Sequence, residues 1–151
     1  MSLKPKSAEE SKAEMTVRMF PSDANPAGNV FGGEILRQID LIAGLVAQRH
    51  CRKNAVTASI DRVNFLKPVL VGNALILNAR LNYVSRSSME IEIKVEAENL
   101  LTGTRTLTNT AYVTSVALDE SGKPTDVPPL LLVTEDDKKR NGRTRSYPMA
   151  R

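Results

Sequence analysis

One stretch of this chain, residues 33–50, has helical periodicity, and almost everything after it alternates. That pairing restricts the fold more than any other feature. Ile35, Leu36, Ile39, Ile42, Ala43, Val46 and Ala47 recur at i, i+3/i+4, i+7 spacing. The apolar arc is wide, so the helix must be largely buried. Arg49, His50 and Arg52 gather at its end, where the helix dipole is negative. His50 therefore reads as a helix-end residue rather than a catalytic base.

The remainder reads as strands. Residues 55–65 are the first after the helix, closed by Pro68. Leu75, Leu77, Ala79, Leu81 and Tyr83 alternate with Ile76, Asn78, Arg80 and Asn82. Met89, Ile91, Ile93, Val95 and Ala97 alternate with Glu90, Glu92, Lys94, Glu96 and Glu98, the pattern of a half-buried strand. Residues 105–118 follow the turn signal Thr102-Gly103, and residues 15–20 give a short strand before the helix. The connections are too short for crossover helices, so the strands should be antiparallel. The expected class is α+β, one long helix packed on a sheet of about five strands. Such a sheet leaves an edge strand, and pairing with a second copy is a common remedy. We expect a homodimer at least.

A chain of 151 residues suits one core. We expect a disordered N-terminal tail over residues 1–12, one domain over residues 13–134 and a basic C-terminal tail over residues 135–151. The net charge of +4 lies in those tails, because residues 13–134 carry twelve charges of each sign. With no stripe of Lys and Arg interleaved with aromatics, a nucleic-acid partner is not expected. No apolar run approaches the ~20 residues of a spanning helix, and no early apolar segment marks export. One cysteine, Cys51, and one histidine, His50, leave no intramolecular disulfide and no metal cluster in prospect. A reducing, cytoplasmic setting is expected.

Three features converge on residues 21–40. Gly32 and Gly33 open the helix, where unsatisfied backbone N–H groups suit a developing oxyanion; the same glycines would equally allow a tight turn and close helix–sheet packing. Asp40 stands beside the apolar arc, as a nucleophile or general base, or as a rim carboxylate paired with Arg37 or touching Gln38. Asn25 lies in a Pro/Asp/Asn loop, as a turn former or as an amide that holds a water or polarises a carbonyl. Gly33 and Asp40 are seven residues apart, about 10 Å along the axis. A reacting carbonyl needs both within about 3–3.5 Å. If both act, they come from different subunits, with two helices side by side and antiparallel across a two-fold axis.

The stretch PSDANPAGNVFGGEILRQIDLIAG (residues 21–44), followed by AVTASIDRVNFLKPVLVGN (residues 55–73), resembles the hot-dog-fold acyl-coenzyme A thioesterases. It looks closest to the branch of the bacterial acyl-CoA hydrolases and the cytosolic, brain-type acyl-CoA hydrolase. The resemblance implies a hot-dog fold, a dimer with two interfacial active sites, and trimers of dimers. It implies hydrolysis of acyl-CoA to a carboxylic acid and coenzyme A. In that family the catalytic Asn and Asp stand fifteen residues apart, as Asn25 and Asp40 do. Asp40 would attack or activate water, Asn25 would orient the water or the carbonyl, and the Gly33 N–H, with Gly32, would polarise it. Thr57 matches a position that carries a hydroxyl in some relatives. Asn29 competes with Asn25, which the spacing favours. Phe31 stands where many relatives carry His.

A thiolate is a good leaving group, so such a site requires neither a strong acid nor a metal or other cofactor. Candidates for holding the coenzyme A phosphates are Arg62, Lys67, Arg86, Ser87 and Ser88, with the basic tail. Two other functions remain open: a thioesterase of the same fold acting on acyl-carrier-protein, and a non-catalytic acyl-CoA sensor.

Overall fold

The alternating residues of the longest strands make one apolar surface, and the single long helix lies across it. The computed structural model describes residues 3–146. Helix α1 (Gly32–Cys51) packs on strands β2 (Ala13–Arg18), β3 (Asn54–Phe65), β4 (Ala74–Val84), β5 (Ser88–Glu98) and β6 (Arg105–Leu118). These form one antiparallel sheet in the order β2-β4-β5-β6-β3. Ile35, Ile39, Ile42 and Val46 of α1 and Met89, Ile91, Ile93 and Val95 of β5 are all buried in the core between them. Burying each such side chain contributes about 1.5–3 kcal/mol. The hot-dog architecture expected from the sequence is the one observed. The twelve-residue β3 lies at one edge, with no strand beyond it among the described residues.

Residues 6–7 and 128–131 gather at the C-terminus of α1. Arg52 ends α1 in the left-handed conformation, φ 54°, with its N–H donating to the Gln48 carbonyl at 2.7 Å. Residues 6–10, placed in a disordered tail by the sequence, are built into the fold. β1 (Lys6–Ser7) pairs parallel to β7 (Leu130–Leu131), and Lys6 Nζ donates to the carbonyls of Arg49 and His50 at 2.7 and 2.9 Å. A lysine on the last carbonyls of a helix satisfies groups that water would otherwise hold.

His50 is fully buried and its Nε2 donates to the Pro128 carbonyl at 2.7 Å, which leaves Nδ1 with no partner. Burial holds the imidazole neutral and lowers its pKa below the ordinary 6.5. The unfolded chain therefore binds this proton at a higher pH than the folded chain does. The stability that neutral His50 contributes is present above its unfolded pKa and is lost as pH falls towards its folded value. The urea midpoint should drop between about pH 7.5 and 5.5, and drop less for His50→Gln. An equal drop in both proteins would count against this role.

The outer face of the sheet departs from expectation. Glu90 and Glu92 occupy the polar side of an alternating strand, yet both are buried beneath α2 (Glu135–Ser146). α2 has no apolar side chain and docks through charge. Glu90 is bound by Arg62 and Thr144, and Glu92 by Arg140 at 2.8 Å and Asn82 at 2.9 Å. Asp137 is bound by Arg80 and caps the N–H groups of Val133 and Thr134 at 3.0 and 3.1 Å. Burial raises the Asp137 pKa, but Arg80 and the two N–H donors outweigh it and hold it at about 2. The rest of the expected basic tail, residues 147–151, lies outside the described residues, as do residues 1 and 2.

Candidate active site

Phe31 starts α1 in an extended conformation, and its side chain makes no capping hydrogen bond. Its carbonyl receives the N–H groups of Glu34 and Ile35 at 3.0 and 3.4 Å. The N–H groups of Gly32 and Gly33 have no acceptor among the described residues. Two adjacent donors at a positive helix end are thus left for a ligand. The loop that delivers them is fixed by Val30 N–H donating to Val69 O at 2.8 Å and Phe31 N–H to Asp23 O at 2.7 Å. Both glycines lie close to aromatic rings. A Cβ on Gly33 would sit 2.9 Å from the Phe31 ring, and one on Gly32 would sit 3.4 Å from the Phe65 ring. Both rings are about half exposed, at 56% and 55%.

Asp40 does not pair with Arg37, whose guanidinium goes to Glu34 at 3.1 Å, nor with Gln38, which also donates to Glu34. Its partner is Thr57 on β3, whose hydroxyl donates to Asp40 Oδ1 at 2.6 Å. The carboxylate is exposed and lines a shallow groove with Leu41, Gly44, Leu45, Gln48, Arg49 and Arg52. One oxygen is fixed by a hydroxyl of the edge strand, and the carboxylate stands exposed on the flank of α1.

Asn25 folds its own loop. Its Oδ1 accepts the N–H groups of Ala27 and Asn29 at 3.0 and 3.1 Å, an Asx turn. Its Nδ2 has no acceptor among the described residues. Asn29 contributes backbone to the same turn, so Asn25 organises the loop and keeps a donor spare.

The structure does not bring the expected phosphate-binding residues together. Arg62 sits at a β-bulge with φ 49°, which turns it to the outer face. There it binds Glu90, approaches Asp61 at 3.2 Å and lies 3.9 Å over the Tyr112 ring. Lys67 is exposed just past Phe65 at the helix-start end of the sheet. Arg86, Ser87 and Ser88 lie at the β4–β5 turn, at the opposite end, and Arg86 faces Asp126 at 3.6 Å. Phe65 was missed by the sequence analysis; an aromatic residue just before Leu66 and Pro68 on the strand beside the helix was the available signal. Among the described residues no three His, Cys, Asp or Glu side chains group closely enough to hold a metal ion. No described helix is long and apolar enough to cross a membrane.

This constellation of uncapped glycines, Asx-turn asparagine and hydroxyl-bound aspartate is accompanied by similarity to known proteins. Residues 27–104 match the family model of the thioesterase superfamily. The chain is 45% identical over 128 residues to an uncharacterized acyl-CoA thioester hydrolase of Bacillus subtilis, covering 85% of this chain and 74% of that one. It is 38% identical to the cytosolic acyl coenzyme A thioester hydrolase of Rattus norvegicus, across 90% of its own length but only 36% of that protein. Among solved structures, an apo-hexameric acyl-CoA thioesterase superposes with a TM-score of 0.91 at 41% identity, covering 95% of this chain and 92% of that one. The Staphylococcus aureus acyl-CoA hydrolase, solved with butyryl coenzyme A and coenzyme A, gives 0.86 at 35% identity, covering 93% and 86%. That enzyme has also been solved with alanine in place of an asparagine, an aspartate fifteen residues later and a threonine seventeen residues after that. Family model, identity across most of the chain and superposition of the whole sheet and helix agree, so this chain belongs to the thioesterase superfamily.

Proposed function

We propose that the protein hydrolyses acyl-CoA thioesters in a site shared by two subunits. The observation that carries this reading is the outward-facing Asp40–Thr57 pair, held at 2.6 Å on the same helix that opens with two unpaired N–H groups. Within one chain these parts stand about 10 Å apart, too far to act on one carbonyl. Two copies joined along the free edge strand β3, with their α1 helices antiparallel, bring Asp40 of one opposite Gly32 and Gly33 of the other. The half-exposed Val56, Leu41 and Leu45 supply apolar surface for such a contact. Asn25, Asp40 and Thr57 have the same fifteen- and seventeen-residue spacing as the Staphylococcus aureus positions. The hexameric relatives support assembly of three such dimers.

The chemistry follows from these parts. The Gly33 N–H, with that of Gly32, polarises the thioester carbonyl and holds the oxyanion. Asp40 supplies the attacking oxygen, its own or that of a water it deprotonates, and the Thr57 hydroxyl orients it. Asn25 Nδ2 steadies the water or carbonyl. The C–S bond then breaks and the coenzyme A thiolate leaves and takes up a proton, with no strong acid needed; where Asp40 attacks with its own oxygen, water then opens the resulting acyl–aspartate anhydride, releasing the acid and restoring the carboxylate. Lys67 and Arg86 with Ser87 and Ser88 remain the groups for the nucleotide phosphates, and Arg62 is withdrawn because it is engaged on the outer face.

The test is free-thiol release from acyl-CoAs of increasing chain length. Turnover of at least one chain length is the expected result. Silence across the panel, with acyl-CoA still bound, would leave a binding protein in place of an enzyme.

A further inference from the structure

Asn109 is fully buried, and neither its Nδ2 nor its Oδ1 has a hydrogen-bond partner. A buried amide with both ends unmatched is costly and rare, since most buried polar groups are satisfied. The adjacent Thr108 is satisfied, its hydroxyl donating to the Val95 carbonyl at 3.2 Å.

Its position links it to the site. On β6, Asn109 pairs with Val95 of β5 and with Phe65 of β3. Val95 is fully buried in the core, so this register row faces α1. Paired residues have Cβ atoms about 4.5–5.5 Å apart. Phe65 in turn lies against Gly32. The unmatched amide is therefore one side chain removed from the helix start, beside the half-exposed Phe65.

Resting on the acyl-CoA reading above, we propose that Asn109 is a specificity-determining residue and selects acyl groups that carry a hydroxyl close to the thioester. A single hydroxyl accepts from Nδ2 and donates to Oδ1, satisfying both atoms at once. It would lie within a few bonds of the carbonyl, because Gly32 and Gly33 would hold that carbonyl and only the Phe65 side chain links Gly32 to the Asn109 register row. A site built to hydrogen-bond a hydroxyl discriminates strongly against the analogue that lacks it.

The experiment compares 3-hydroxybutyryl-CoA with butyryl-CoA by thiol release, in wild type and in Asn109→Leu, with thermal midpoints measured alongside. Wild type is expected to favour the hydroxylated substrate in kcat/KM by about tenfold or more. In Asn109→Leu the ratio should fall to about one while the midpoint rises, because an apolar isostere replaces an unmatched amide. A merely structural Asn109 would move the midpoint and leave the ratio alone. A wild-type ratio near one overturns the inference, and needs no variant to fold. A ratio that survives in Asn109→Leu also overturns it. Absence of thiol release from both substrates by wild type would instead overturn the hydrolase reading, and this inference with it.

Discussion

Asp40→Asn is expected to lower kcat/KM for acyl-CoA by two or more orders of magnitude, about 3 kcal/mol of transition-state stabilisation. The swap keeps the shape and the capacity to accept the Thr57 hydroxyl at Oδ1, but removes the charge proposed to attack the thioester or to deprotonate water. Because Asp40 is exposed and caps no helix, circular dichroism and the urea midpoint should stay as in wild type. Thr57→Val should cost less, about tenfold, since it only loosens the carboxylate's orientation. If Asp40→Asn retains most of its activity while folded, the assignment of the attacking group is wrong.

The second large effect tests the shared site. Gly33→Val places a branched side chain where even a Cβ would stand 2.9 Å from the Phe31 ring, so the ring is driven over the donor N–H. Alone, Gly33→Val and Asp40→Asn should each be nearly inactive. Refolded together from denaturant, half of randomly formed dimers contain one of each. Each such dimer has one site with both defects and one with neither, so about a quarter of wild-type activity should return. A site confined to one subunit gives no recovery at any mixing ratio. The two outcomes differ so widely that modest losses on refolding do not obscure them.

Much of this was readable along the chain because it is local. The period of 3.6 over residues 33–50 and the period of two over residues 89–98 each reflect which face of an element is buried, and the structure has α1 and β5 there. Gly32 and Gly33 before the helix, and Asp40 seven residues after Gly33, are equally matters of sequence spacing. The helix rise alone separates Asp40 from the donors by about 10 Å, so a site in which both act on one carbonyl would need a second copy.

Other features were settled only in three dimensions, for identifiable reasons. A bulge on β3 shifts the register, and at φ 49° Arg62 turns to the outer face; strand alternation has no means of announcing an extra residue. α2 was invisible to a search for apolar periodicity because it docks through Arg140 and Thr144 on buried carboxylates and through Asp137 on Arg80, an arrangement that needs partners 48 to 57 residues away in the chain. Thr57 reaches Asp40, and Phe65 reaches Gly32, across the helix–sheet interface, whose register depends on how every core side chain packs. The sequence by itself therefore determined the long helix and the five main strands, the face of each that meets the core and the order of the candidate site residues along the chain, since backbone sterics and hydrophobic burial act over a few residues. The pairing of those groups across elements was decided only by the tertiary structure, because contacts between distant residues follow from close packing of the whole core.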